Sequence, residues 1–234
     1  MTAPGIKFFS TTAHACSYLP GKQAVTLFAD PKTSMDRRLY SELSDLGFRR
    51  SGNYVYRPHC GSCQACVAIR IPVERFTPNR QQLRVWKKNQ DINVQWCDAR
   101  FREEHYALYE RYINARHADG DMYPPSVEQY ASFLTSDWSK TSFIEFRLHE
   151  KLLAVAVCDE LEGGLSAVYT FYDPEYEKRS LGTYAVLWQI EESRRRQLPS
   201  LYLGYWIRDC QKMSYKIAFR PIELLINGEW LVAR

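Results

Sequence analysis

Leu39, Leu43 and Leu46 recur at helical spacing within D-R-R-L-Y-S-E-L-S-D-L at 36–46, and Gly47 follows as a C-cap. This segment predicts a helix. Short apolar runs at 25–28 (V-T-L-F) and 53–56 (N-Y-V-Y) predict strands between turn signals. Asp98 is placed to cap a helix through F-R-E-E-H-Y-A-L-Y-E-R-Y-I-N-A-R-H, in which Phe101, Leu108, Tyr112 and Ala115 share a face. Pro124-Pro125 interrupts the chain, and Ser126 with Gln129 then forms a capping box that opens a second helix. Runs at 142–148, 152–158 and 165–171 are joined by hairpin-length loops and predict an antiparallel meander. The middle run is apolar throughout, which places it centrally. Asp173-Pro174 ends the meander. A helix over 180–196 carries Leu181, Ala185, Trp188 and Glu192 on one stripe, before a strand at 201–206, a short helix at 209–215 and a last strand at 221–226.

From residue 98 the order is therefore α-α-β-β-β-α-β-α-β. A meander followed by a crossover helix and a parallel return strand is the order of the GNAT acyltransferase fold. Up to residue 97 the texture differs, with many turn signals and five of the seven cysteines. The expectation is an α+β chain with a small N-terminal cysteine-containing module at 1–97 and a GNAT-like acyltransferase domain at 98–234. There is no internal repeat and no low-complexity segment.

The 234 residues are 45% hydrophobic and 14% aromatic, enough for a substantial core. No stretch approaches the roughly 18 apolar residues of a transmembrane helix. The start, M-T-A-P-G-I-K-F-F-S-T-T-A-H-A-C, has no basic segment leading into a long apolar one. A cytoplasmic location without membrane attachment is expected. In a reducing compartment, clustered cysteines more often bind metal or act in catalysis than pair as disulfides, and an odd count suits pairing poorly. The net charge of +4 decides little. Its distribution says more: Arg80, Arg84, Lys87 and Lys88 lie between Asn79 and Asn89 with no acid among them, and Arg194, Arg195 and Arg196 form a second run. The ordinary reading of either run is a solvated face.

Residues 58–70, P-H-C-G-S-C-Q-A-C-V-A-I-R, hold Cys60, Cys63 and Cys66 at regular intervals. Thiolates so spaced suit a structural zinc or an iron–sulfur cluster, which spacing does not separate. The run stops short of a ferredoxin sequence because Arg70 stands where the next cysteine belongs. A fourth ligand must be remote; Cys16, His59 and Cys97 are the candidates. At the head of the long helix, K-R-S-L-G-T-Y at 178–184 partly matches the loop that holds the coenzyme A pyrophosphate in GNAT enzymes. Arg179 and Gly182 fit, whereas Tyr184 is expected to obstruct the pyrophosphate, so another acyl carrier is indicated. Tyr169, Tyr172, Tyr202, Tyr205 and Tyr215, with Lys212 and Lys216, suit stacking on bases and contact with phosphates, or else a tyrosine-rich rim of a core. There is no P-loop, no H-E-x-x-H and no G-x-S-x-G, which leaves nucleotide hydrolysis, zinc-peptidase and serine-hydrolase chemistry without support.

Several stretches together resemble one family: C-S-Y-L-P at 16–20, Y-R-P-H-C-G-S-C at 56–63, L-S-A-V-Y-T-F-Y-D-P at 165–174, S-L-G-T-Y at 180–184, Y-L-G-Y-W-I at 202–207 and K-M-S-Y-K at 212–216. They are similar to the arginyl-tRNA–protein transferases, most closely to the short bacterial branch, over about residues 8–230. The resemblance implies transfer of leucine from leucyl-tRNA to the N-terminal Asp or Glu of acceptor proteins, marking them for degradation in the N-degron pathway. It implies no DNA partner. Because an aminoacyl ester is already activated, the chemistry needs no cofactor. The family's cysteine site implies Cys16 as fourth ligand beside Cys60, Cys63 and Cys66, although Leu19 stands where long members carry another cysteine.

On this reading Asp173 orients or deprotonates the acceptor amine, with a plain turn residue before Pro174 as the alternative. Tyr205 or Tyr215 donates to the oxyanion. Arg70, Arg75 and Arg80 are candidates for the acidic N-terminus, since a guanidinium forks onto a carboxylate. Arg84, Lys87, Lys88, Tyr169, Arg179, Lys212 and Lys216 are candidates for the tRNA. Two other classes compete: a coenzyme A-dependent N-acetyltransferase with a zinc module, and a non-catalytic metal-dependent RNA-binding protein.

Overall fold

A computed structural model of the chain describes residues 5–233. In chain order the first strands are β1 (Phe8–Ser10), β2 (His14–Ala15), β3 (Gln23–Ala24), β4 (Thr26–Ala29), β5 (Arg49–Ser51) and β6 (Tyr54–Pro58). They are followed by β7 (Val67–Pro72), β8 (Asn93–Asp98), β9 (Thr141–Leu148), β10 (Lys151–Leu161), β11 (Gly164–Tyr172), β12 (Ser200–Trp206), β13 (Ile222–Ile226) and β14 (Glu229–Ala233). The helices are α1 (Arg37–Asp45), α2 (Arg80–Lys88), α3 (Glu103–Arg116), α4 (Val127–Leu134) and α5 (Leu181–Arg195). The fold is a mixed α/β one. An eight-stranded sheet runs β14-β13-β7-β12-β11-β10-β9-β8, beside a four-stranded sheet β1-β4-β6-β5 and the β2-β3 pair.

The apolar run of β10 explains the layering. Ala154, Ala156 and Cys158 pack on the face covered by α5, while Val155 and Val157 pack on the face covered by α3 and α4. All five are fully buried, as a strand covered on both faces requires. β9, β10 and β11 form the expected meander, and β12 returns parallel to β11 after the α5 crossover. Asp36 caps α1 through its bond from the Leu39 N–H at 2.7 Å, and Gly47 beyond the helix takes φ +84°. Ser126 caps α4 by accepting from the Gln129 N–H at 3.1 Å.

The expected boundary at residue 97 does not divide the sheet. β7, from the first half of the chain, lies between β12 and β13, and β8 pairs with β9. Ala68, Ile69 and Ile71 are buried there. The basic run is a helix with its own capping box between Asn79 and Gln82, inserting Gln82 and Val85 into the core while Arg84, Lys87 and Lys88 face outward. Asp98 does not cap α3. It ends β8, Arg102 holds the N-cap position, and Phe101 lies outside the helix with its ring exposed. The short helix near 209–215 is a 3-10 turn over Gln211–Ala218.

The pairing of β11 with β12 is brief. Gly164, Leu165 and Ser166 match Ser200, Leu201 and Tyr202, after which β11 runs on to Tyr172 and β12 to Trp206 without pairing. The two strands splay. At the same level β12 shifts register against β7 between Tyr202 and Gly204, and Gly204 adopts φ +75°.

Candidate functional site

The split between β11 and β12 opens into a cavity of about 1380 Å³. Tyr169 and Tyr172 line it from β11, Leu203 and Tyr205 from β12, and Gly182 and Thr183 from the start of α5. The 3-10 turn adds Lys212, Tyr215 and Lys216, and β5 adds Arg49. Strands that separate leave carbonyls without ladder partners, and such groups need donors. Two cations supply them. Arg49 Nη2 donates to the Ala167 carbonyl at 3.0 Å, and Lys216 Nζ donates to the carbonyls of Leu203 and Tyr205 at 2.9 and 2.7 Å.

The other cations on this wall are already neutralised. Arg50 is buried on Asp159, Arg116 meets Glu177 at 2.6 Å, and Lys212 meets Asp119 at 2.7 Å. Among the described residues, Arg49 and Lys216 have no carboxylate within ion-pair distance. The Tyr169 hydroxyl is buried without a hydrogen-bond partner, and burial with the neighbouring tyrosines drives its pKa well up. The uncompensated charge of Arg49, an unpartnered phenol and a cavity of this size suit an anionic, aromatic-bearing substrate.

Sequence comparison gives this cavity a context. Residues 14–84 match the family model described as arginine-tRNA-protein transferase, N terminus, and residues 104–226 match its C-terminus counterpart. The chain belongs to the arginine-tRNA–protein transferase family. It is 58% identical over 227 residues to the aspartate/glutamate leucyltransferase of Pseudomonas fluorescens (strain Pf0-1), covering 97% of each chain. A similar match, 58% over 226 residues, links it to the protein of the same name from Pseudomonas putida (strain W619). Among solved structures the likeness is looser: L-PGS from Bacillus licheniformis aligns with a TM-score of 0.48 at 9% identity, over 61% of this chain and 47% of that one.

Within this family member, the residues singled out from sequence separate into two groups. Tyr169, Tyr205, Tyr215, Lys212 and Lys216 converge on the cavity. Tyr205 does so with its hydroxyl already donating to the Gly47 carbonyl at 2.7 Å, so it braces β12 against the α1 end and is not free for an oxyanion. Tyr215 keeps half its surface exposed toward the cavity, with Lys216 Nζ 6.0 Å from its ring centre.

Asp173 is not among the cavity-lining residues. Its carboxylate accepts from the Glu175 N–H at 3.1 Å and sits 3.3 Å from Lys151 Nζ, which matches the turn reading and not the base. Arg70 is also elsewhere. It bonds Glu223 at 2.6 Å and Asp45 at 2.9 Å and stacks on Trp230 at 4.3 Å, so its fork is already filled. Arg75 lies exposed in the 3-10 turn Val73–Arg75, and Arg80 is exposed at the start of α2. Arg179 is bidentate on Asp91 at 2.8 and 2.9 Å. Tyr184 does not obstruct the loop: it is 3% exposed and packs on Trp86 and Phe146, because its helical position turns it inward with Leu181 and Ala185.

Arg49 was not singled out from sequence. In Phe48-Arg49-Arg50-Ser51 two adjacent arginines alternate across a strand, and nothing local says which meets Asp159 and which meets the cavity.

The cysteines are free thiols. Burial and the nearby Cys16, Cys60, Cys63 and Cys210 push the Cys66 thiol up to about 11. Thiolate sulfur is the donor type that soft metals take. Among the described residues, the set of ligand atoms gathered within 4.8 Å of one another is instead Cys97, His105 and Glu145, which removes Cys97 from the Cys66 group. His59 is exposed.

Proposed function

We propose that this chain is an aspartate/glutamate leucyltransferase: it moves leucine from leucyl-tRNA to the α-amine of proteins that begin with Asp or Glu. The observation that carries the reading is the 58% identity to curated proteins of that name across 97% of the chain. The cavity is consistent with it. Arg49 lines the cavity with no carboxylate partner among the described residues, which suits it to an acceptor carboxylate. Tyr169 and Tyr215 offer rings and hydroxyls to the terminal adenosine of the tRNA. Arg84, Lys87 and Lys88 on the outer face of α2 suit phosphates of the acceptor arm.

The reaction is aminolysis of an ester, so the enzyme must bring amine and ester together, remove a proton and shelter the tetrahedral intermediate. Positioning alone contributes roughly 7–11 kcal/mol. The meander, crossover helix and parallel return strand form a GNAT-like core in this reading. Its CoA loop is not reused, since Arg179 is taken by Asp91. Cys16, Cys60, Cys63 and Cys66 would hold a structural zinc or iron–sulfur cluster that orders the N-terminal module; no step of the transfer is assigned to it. Activity is expected in the cytoplasm, where charged tRNA is available, as part of an N-degron route.

The test is transfer of labelled leucine, arginine or acetate from leucyl-tRNA, arginyl-tRNA or acetyl-CoA to peptides beginning with Asp, Glu or Ala. Leucine on the acidic peptides alone is the expected result. No transfer from leucyl-tRNA overturns the reading, and transfer from acetyl-CoA replaces it by the acetyltransferase.

A further inference from the structure

Lys216 reaches back from its 3-10 turn to the strand that precedes it. Its Nζ donates to the Leu203 and Tyr205 carbonyls, both on the part of β12 beyond the last pair with β11. A neutral amine has two N–H bonds and one lone pair. The two carbonyls take two of the three remaining positions on Nζ; the third holds a proton in the ammonium and a lone pair in the neutral amine, on a side chain that lines the cavity.

The surroundings favour that neutral form. Burial and the Arg49 guanidinium from β5 lower the ammonium pKa, partly offset by the Cys210 thiol ahead of the turn, to about 7. Tyr215 contributes only its ring, and the Tyr205 hydroxyl points to Gly47. No carboxylate among the described residues lies within ion-pair distance to hold the charge. A lysine so placed is poorly suited to hold a tRNA phosphate, the role its sequence context suggests. It suits proton transfer, where a value near the working pH serves best.

We propose that Lys216 is the general base of the transfer, taking the proton that the acceptor α-ammonium must lose before it can attack. The assignment rests on the leucyl-transfer reading above. The α-amine nitrogen then bonds to the ester carbonyl carbon, and the C–O bond to the tRNA ribose breaks with its electron pair on oxygen. The entering ammonium has three protons and the product amide nitrogen has one. Of the two lost, Lys216 passes one to the ribose oxygen, and the other is released to solvent. Arg49, permanently charged, holds the acceptor carboxylate and keeps Lys216 from competing for it.

Lys216→Arg separates this role from anion binding or bracing, because arginine keeps a cation and donors for both carbonyls but does not give up its proton. Lys216→Met removes all three properties. Single-turnover leucine transfer to an Asp-initial peptide, measured from pH 6 to 9, is expected to fall about a hundredfold or more in both variants. In both, the limb near pH 7 disappears while the limb from the acceptor amine remains. An arginine variant within threefold of wild type overturns the assignment, as does an unchanged profile. Carbon-13 NMR of protein labelled at lysine Cε provides a reading independent of variant folding. One lysine signal should titrate near pH 7 in the unmodified protein, and its absence also overturns the proposal. Wild-type protein that transfers no leucine at all refutes instead the function on which it rests.

Discussion

The Arg49 guanidinium donates to the Ala167 carbonyl and lies against Gly204, where an added Cβ would come within 2.0 Å of Nη1. One side chain thus spans the gap between β11 and β12 from a third strand. Gly204 is required twice, for this approach and for its φ of +75°. Gly204→Ala is expected to displace Arg49, cost about 1–3 kcal/mol in urea unfolding and abolish most transfer. Wild-type stability and activity together would refute the arrangement.

Arg49→Ala removes the proposed partner of the acceptor carboxylate. Its KM for an Asp-initial peptide should rise about 30-fold or more, equivalent to roughly 2 kcal/mol, with the KM for leucyl-tRNA little changed. Preference for Asp over Ala at the peptide N-terminus should shrink in parallel. Steady-state kinetics on the two peptides decides it: equal effects on both would place Arg49 outside acceptor recognition.

Arg50, next in sequence, works on stability. Its side chain and that of Asp159 are fully buried, with bonds at 2.6 and 2.8 Å, and Asp159 also accepts from Tyr40 and Thr141. Asp159→Ala leaves the guanidinium buried and unpaired, and should cost about 3–5 kcal/mol in denaturant unfolding. A loss under 1 kcal/mol would show that water reaches the site.

Glu145 sets part of the acid limit. Burial would raise its pKa, but hydrogen bonds from Arg147, Gln95 and His105 outweigh that and lower it from 4.5 to about 2. A depressed carboxylate contributes stability that is present above about 4.5 and is lost as pH falls toward 2. The shift corresponds to about 3 kcal/mol. His105, kept neutral chiefly by burial, acts in the same direction at low pH. Urea midpoints at pH 7 and pH 3 should therefore converge in Glu145→Gln relative to wild type; an unchanged difference would mean the network is not intact in solution.

Metal content tests the cysteines. Purified protein should carry zinc or iron together with its ligands, and Cys16→Ser and Cys63→Ser should each lose most of it by elemental analysis. Equal, low content in all three proteins leaves the thiols as thiols.

The sequence by itself determined the elements whose pattern is local. The helix start at Ser126, the unbroken apolar run of β10 and the stripe of α5 each depend on residues within a few positions, and each formed as read. It also carried the family, because six ordered stretches need no geometry. Tertiary structure decided where the charges go. Arg70, a candidate for the acceptor carboxylate, is filled by Asp45 and by Glu223, 153 residues away, while Arg49, which the sequence did not single out, lines the cavity with no carboxylate partner among the described residues. Asp173 is occupied in the same way, by Lys151 and Arg111. A charge's role is set by its partners and its access to water, and in a sheet where β7 lies between β12 and β13 those come from distant parts of the chain.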